Sequence, residues 1–172
     1  MFELSNAIAH IRSVNLRTEK HGPEEVPCAD LKIETRQPNG MLSEFGPQLR
    51  DALYWRAPTA DGDQGKLDGV DEVSDKPNLR CPEIDTTFAL KYEGAGYHIT
   101  IDHGLNGKSA IKIEDVDVNG MKFEAHEGGT ITLVLRAQFE IDDKLAGNLA
   151  MLIGREVTIT VTPPAESKRL AA

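Results

Sequence analysis

Several stretches of this sequence hold residue types that could do chemistry. Gly104-Leu-Asn-Gly107-Lys108-Ser109 has the glycines, lysine and serine with which a phosphate loop cradles a nucleotide and its magnesium. Such a loop needs its first glycine where Asp102 stands, and next a helix whose N-terminal dipole holds the anion. The chain continues instead into Ile111–Val118, which alternates as a strand, so the loop reads as a hairpin connection in which Gly and Asn supply positive φ. Asp115-Val-Asp117-Val-Asn119-Gly120 sets oxygen ligands at alternate positions before a glycine, as the first half of a calcium loop does. The closing Glu of that motif is replaced by His126, and strand patterns flank it where helices are required, so outward acids on a hairpin are expected.

His10, His21, His98, His103 and His126 show none of the His-x-x-x-His or His-x-Glu spacings that place two metal ligands on one face. His98, Thr100 and Asp102 share a face opposite Tyr97, Ile99 and Ile101, which reads as a polar outer surface. Cys28 and Cys81 lie in no Cys-x-x-Cys pair and read as two reduced thiols, with a single bridge left open. No Ser stands in a nucleophile elbow. The reading is therefore no catalytic constellation, no metal set and no cofactor. One group remains: Tyr54-Trp55, at a helix end between Arg50 and Arg56, either caps the sheet core or stacks bases as single-strand binders do.

The elements that position these residues belong to a chain of 172 residues, 40% hydrophobic and 27% charged, with a formal charge of −9. That is one ordinary domain, 1–172, and its charge opposes nucleic-acid binding by bulk electrostatics. The start Met1-Phe-Glu-Leu-Ser-Asn6 lacks a basic leader, and no apolar run approaches the roughly 18 residues of a membrane helix, which points to no membrane and to a cytosolic protein.

Ala7–Arg17 reads as a first strand with a bulge near Arg12–Ser13, hairpin-connected through Lys20–Glu25 to Val26–Arg36. Met41, Leu42, Phe45, Leu49, Ala52 and Leu53 recur at helical spacing, interrupted at Gly46-Pro47. From Arg56 to Asp85 apolar density falls, and eight acidic residues face four basic ones. This stretch reads as an acidic, mobile surface insertion whose arm carries Asp61, Asp63, Asp68, Asp71, Glu72 and Asp75. Phe88, Leu90 and Tyr92 then alternate, with a turn at Gly94-Ala-Gly96 and an answering strand of Tyr97, Ile99 and Ile101. Ile111 and Ile113 shift phase to Val116 and Val118, implying a bulge near Glu114–Asp115, and Asn119-Gly120 signals a hairpin into Met121 and Phe123. Ile131–Ile141 alternates without a break, Asp142-Asp143 starts a helix with Leu145, Leu149, Leu152 and Ile153 on one face, and Val157, Ile159 and Val161 make the last strand before a frayed tail at 165–172. The fold class is mainly β: an antiparallel β-sandwich or flattened barrel of about eight strands with two short helical insertions.

The runs Leu16-Arg-Thr-Glu-Lys-His-Gly-Pro-Glu-Glu-Val-Pro-Cys-Ala-Asp-Leu31, Leu49-Arg-Asp-Ala-Leu-Tyr54, Gly128-Gly-Thr and Gly154-Arg-Glu-Val-Thr-Ile-Thr resemble a family of small tailed-bacteriophage and prophage proteins, often encoded among DNA-metabolism and recombination genes. The resemblance implies a phage context and action inside the host cell, and supplies no site residues. The expectation is a non-enzymatic binding protein of phage DNA metabolism, acting on single-stranded DNA or a recombination protein. The alternatives are an acidic protein that inhibits a host defence factor by occupying its nucleic-acid groove, and a virion structural or assembly protein. Exposed strand edges would allow a homo-oligomer.

Overall fold

Strand β1, Leu4–His21, opens the chain and turns through Gly22-Pro23 into β2, Glu24–Pro38. Gly22 takes φ +68°, the left-handed conformation that a tight two-residue hairpin turn needs and that glycine adopts without steric cost. The computed structural model describes residues 2–57, 76–104 and 110–164. After β2 come a single 3-10 turn at Asn39–Met41, α1 (Leu42–Phe45), α2 (Leu49–Leu53), and two short paired strands, β3 (Tyr54–Trp55) and β4 (Asn78–Leu79). Next in the chain are three long strands, β5 (Thr87–Asp102), β6 (Ile111–His126) and β7 (Thr130–Glu140), and then α3 (Asp143–Ala150) and β8 (Glu156–Thr162). The fold is mainly β and antiparallel, with its six long strands closed into a barrel in the order β1-β2-β7-β6-β5-β8. Closure means that, among the described residues, this sheet offers no unpaired edge for another chain.

Two turns expected from sequence are absent. Gly94–Gly96 and Asn119-Gly120 lie inside β5 and β6, which run straight through them. At Gly96 (φ +74°) and Gly120 (φ +62°) one left-handed residue is accommodated as a bulge, and the inward stripe moves from Val118 to Met121 as it moves from Ile113 to Val116 across Asp115 (φ +54°). The bulge expected in β1 is present as a register shift between Ile11 and Ser13. Bulges of this kind coil long strands sufficiently for a sheet to close on itself.

The chain forms two compact units. Unit 1, Met1–Thr35, Leu90–Met121 and Val134–Ala172, has a core in which Ile11, Leu31, Ile33, Ile99, Val116, Leu135, Ile159 and Leu149 are fully buried. Here α3 is started by Asp142, whose side chain accepts the Leu145 N–H, as expected; Ile153, expected on the helix face, lies beyond its end and is 46% exposed. Unit 2, Arg36–Ala89 and Lys122–Leu133, is centred on Phe123, which stacks on Phe88 at 5.3 Å and meets the edge of Phe45 at 5.2 Å.

One polar pair in unit 1 ties stability to pH. Asp30 is buried on the face of β2 opposite Leu31 and receives a two-point hydrogen bond from the Arg136 guanidinium, which holds its carboxyl below the usual carboxylate value. The unfolded chain therefore takes up a proton, near the ordinary value of about 3.9, before the folded one does. The pair contributes stability above that pH and loses it as pH falls toward the folded value. In thermal melts across the acid range, an Asp30→Asn variant should be less stable than the parent at neutral pH, and the gap should close as pH drops below about 4.

Candidate functional site

The tyrosine and tryptophan singled out in the sequence stand on β3, and strand alternation sends them opposite ways. Tyr54 is fully buried. Its hydroxyl lies 2.7 Å from the Thr130 carbonyl and 3.1 Å from the His126 carbonyl, and accepts the His126 N–H at 3.1 Å. Burial raises the phenol above its ordinary pKa, so it stays a neutral hydrogen-bonding group. Tyr54 is thus a peg joining β3 to the β6–β7 turn, and it has no face to offer a base. Trp55 points outward, 38% exposed, with its indole N–H donating to the Leu79 carbonyl at 3.1 Å. That bond orients the ring and leaves part of its surface open.

The flanking arginines also separate. Arg50 is half-buried and donates from Nε to Asn39 Oδ1 at 3.0 Å, whereas Arg56 is exposed and pairs with no carboxylate among the described residues. Asn39, fully buried, is the knot of this unit: its Nδ2 donates to the Lys76 carbonyl at 2.8 Å and its backbone N–H to Gly129 at 2.9 Å. Arg80 carries no signal in the sequence. It stands just after β4, donates its backbone N–H to Leu53 at 2.9 Å and its Nε to the Asp51 carbonyl at 2.7 Å, and stays exposed at the Trp55 end of α2. The Lys76 ammonium pairs with Asp51 and holds that carboxyl below its usual pKa.

These contacts correct the expected insertion. Its second part, Lys76–Asp85, is built into unit 2 by the β3–β4 pairing, the buried Leu79 and the Glu127 carboxylate, which accepts the Leu79 N–H at 3.3 Å. The acidic arm of Asp61, Asp63, Asp68, Asp71, Glu72 and Asp75, like the tail at 165–172, lies outside the described residues.

Over the full sequence both units are acidic: unit 1 has twelve basic and sixteen acidic side chains, and unit 2 has seven basic and twelve acidic.

Comparison with known proteins adds no relative: no protein-family model, no curated protein and no solved structure matches this chain.

Unit 1 holds a polar cavity of about 160 Å³ lined by Arg17, Glu19, Cys28, Asp115, Asp117 and Glu140, among others. Cys28 is buried there, and burial, reinforced by Glu19 and Glu140, raises the thiol's pKa, which opposes thiolate chemistry. Both cysteines are free. Among the described residues, no three His, Cys, Asp or Glu side chains are placed to hold a metal ion, and no helix is long and apolar enough to cross a membrane.

Proposed function

We propose that the chain is a non-enzymatic binding protein of phage DNA metabolism, working in the host cytoplasm on single-stranded DNA, with Trp55 as the stacking surface and Arg56 and Arg80 as phosphate contacts. The observation that carries this reading is Trp55. It is the chain's single tryptophan, it is 38% exposed, and its edge is fixed by the bond to Leu79, so its ring is presented in one orientation. A rigid, partly open aromatic beside exposed arginines is how sequence-tolerant single-strand binders hold bases and backbone.

Titration with labelled oligo-dT at low salt tests it. The parent should bind at micromolar protein, and Trp55→Ala should weaken binding by about 5–150-fold, the equivalent of one stacked base at about 1–3 kcal/mol. Arg56→Ala should lower the salt dependence of binding. No binding at low salt, or equal binding by Trp55→Ala, overturns the reading.

The net charge of −9 favours a second reading, an interaction protein that occupies the basic groove of a host nucleic-acid-binding factor. A polyarginine probe that binds more tightly than oligo-dT, with Trp55→Ala neutral, is the result that selects it.

A further inference from the structure

Unit 1 is acid-rich, yet one concavity in it is basic. Between the end of β5, the start of β6 and α3 lies an open cavity of about 460 Å³, lined by His103, Lys112, Lys144 and Asn148 over an apolar floor of Ile111 and Leu145. Lys112 and Lys144 are exposed and form no ion pair among the described residues, although those residues of unit 1 include fifteen carboxylates against nine basic side chains. The one acid on the wall, Asp142, is engaged elsewhere: its Oδ1 accepts the Leu145 N–H at 2.6 Å as the cap of α3. The donors free to meet a ligand are therefore two ammonium groups, an imidazole and an amide.

We propose that this concavity binds the phosphate of a nucleotide, held by Lys112 and Lys144 with His103 and Asn148 as hydrogen-bonding partners. Compact ammonium groups suit the point-like charge of a phosphate anion, whereas a planar carboxylate is the better match for an arginine fork, and the wall has no arginine. The volume falls within the range of small-molecule sites and exceeds what a bare anion fills, and Ile111 and Leu145 provide apolar surface for a sugar and base. The phosphate could belong to a free nucleotide or to a strand, and the chemistry at the lysines is the same. The proposal does not rest on the Trp55 surface, whose residues all lie in unit 2.

Calorimetric titration of the full chain with inorganic phosphate, thymidine, dTMP, and oligo-dT with and without a 5′-phosphate tests it. We expect saturable dTMP binding with inorganic phosphate as a competitor, no binding of thymidine, and at least about a tenfold loss in a Lys112→Gln/Lys144→Gln double variant. The double variant changes only exposed side chains and should melt as the parent does. Trp55→Ala should bind dTMP unchanged, which separates this site from the proposed stacking surface. A 5′-phosphate requirement in the oligonucleotide identifies a strand end, equal binding without it identifies the internal diester, and binding of dTMP alone identifies the free nucleotide. Thymidine binding as well as dTMP, no binding of any phosphate probe, or an unchanged double variant overturns the proposal.

Discussion

Tyr54→Ala should destabilise the protein by about 3–5 kcal/mol, the usual cost of truncating a fully buried aromatic side chain. The ring has no solvent-exposed surface, so its removal leaves a cavity that the surrounding strands can only partly fill. The loss of the hydroxyl adds to this, because the His126 N–H and the Thr130 and His126 carbonyls all converge on it. Tyr54→Phe isolates that second contribution: the ring volume is kept, a buried donor loses its acceptor, and the expected cost is about 1–3 kcal/mol. Chemical denaturation of the parent and both variants, monitored by Trp55 fluorescence, measures the two effects separately. Equal stability of Tyr54→Phe and the parent would mean that the hydroxyl contributes nothing to joining β3 to the β6–β7 turn. Because Trp55 is the next residue, Tyr54→Ala should also remove the orientation of the indole, and with it any stacking.

Gly94→Ala should cost about 1–3 kcal/mol, the usual penalty for overpacking a filled core. A Cβ built on Gly94 would lie 2.6 Å from Cε2 of Tyr97 and 3.1 Å from Cε1 of Tyr92. Tyr97 is 1% exposed and cannot move aside, and its hydroxyl is bonded to that of Tyr92, which also accepts the Phe2 N–H at 3.4 Å. Phe2 is itself buried and meets the Tyr92 ring edge-on at 6.2 Å, so the clash reaches the start of the chain. The backbone at Gly94 is not left-handed, and the penalty is steric alone. A Gly94→Ala/Tyr97→Leu double variant should therefore recover part of the loss relative to the sum of the singles, a coupling readable in thermal melts. Additive losses would show that Tyr97 is not the obstacle.

Most of the barrel is legible in the sequence because its strands bury one face and expose the other. Ile131, Leu133, Leu135 and Ala137 predict β7 without help, and the phase change between Ile113 and Val116 locates a bulge. The two misplaced turns arise from the same kind of signal. Val118 to Met121 is the same three-residue step as Ile113 to Val116, but Asn119-Gly120 is also the strongest hairpin dipeptide, and locally the dipeptide outweighs the step. The interval from Tyr92 to Tyr97, an odd number, carries the same information at Gly94–Gly96. A bulge changes the face of every later residue, while a hairpin also reverses the chain, and only long-range pairing decides between them.

The candidate site is half legible. Tyr54-Trp55 stands out as a pair of adjacent aromatics, and the two-residue alternation of a strand, once known, separates the buried one from the exposed one. Arg80, Asn39 and Lys76 are not legible, because each acts through backbone carbonyls or side chains supplied by segments distant in sequence. Leu79, flanked by Asn78 and Arg80, is too short an apolar signal to reveal a two-residue strand.

The pairing of Tyr54 with Leu79 and of Trp55 with Asn78 holds the two ends of the intervening chain side by side. Such a clip decouples the length of the intervening chain from the register of everything around it. Each doubling of that length adds only about 0.6 kcal/mol of closure entropy when the ends are already held. The position between residues 57 and 76 is therefore a port: a shorter linker, a tag or a foreign domain could be spliced there, with the barrel strands left as they are.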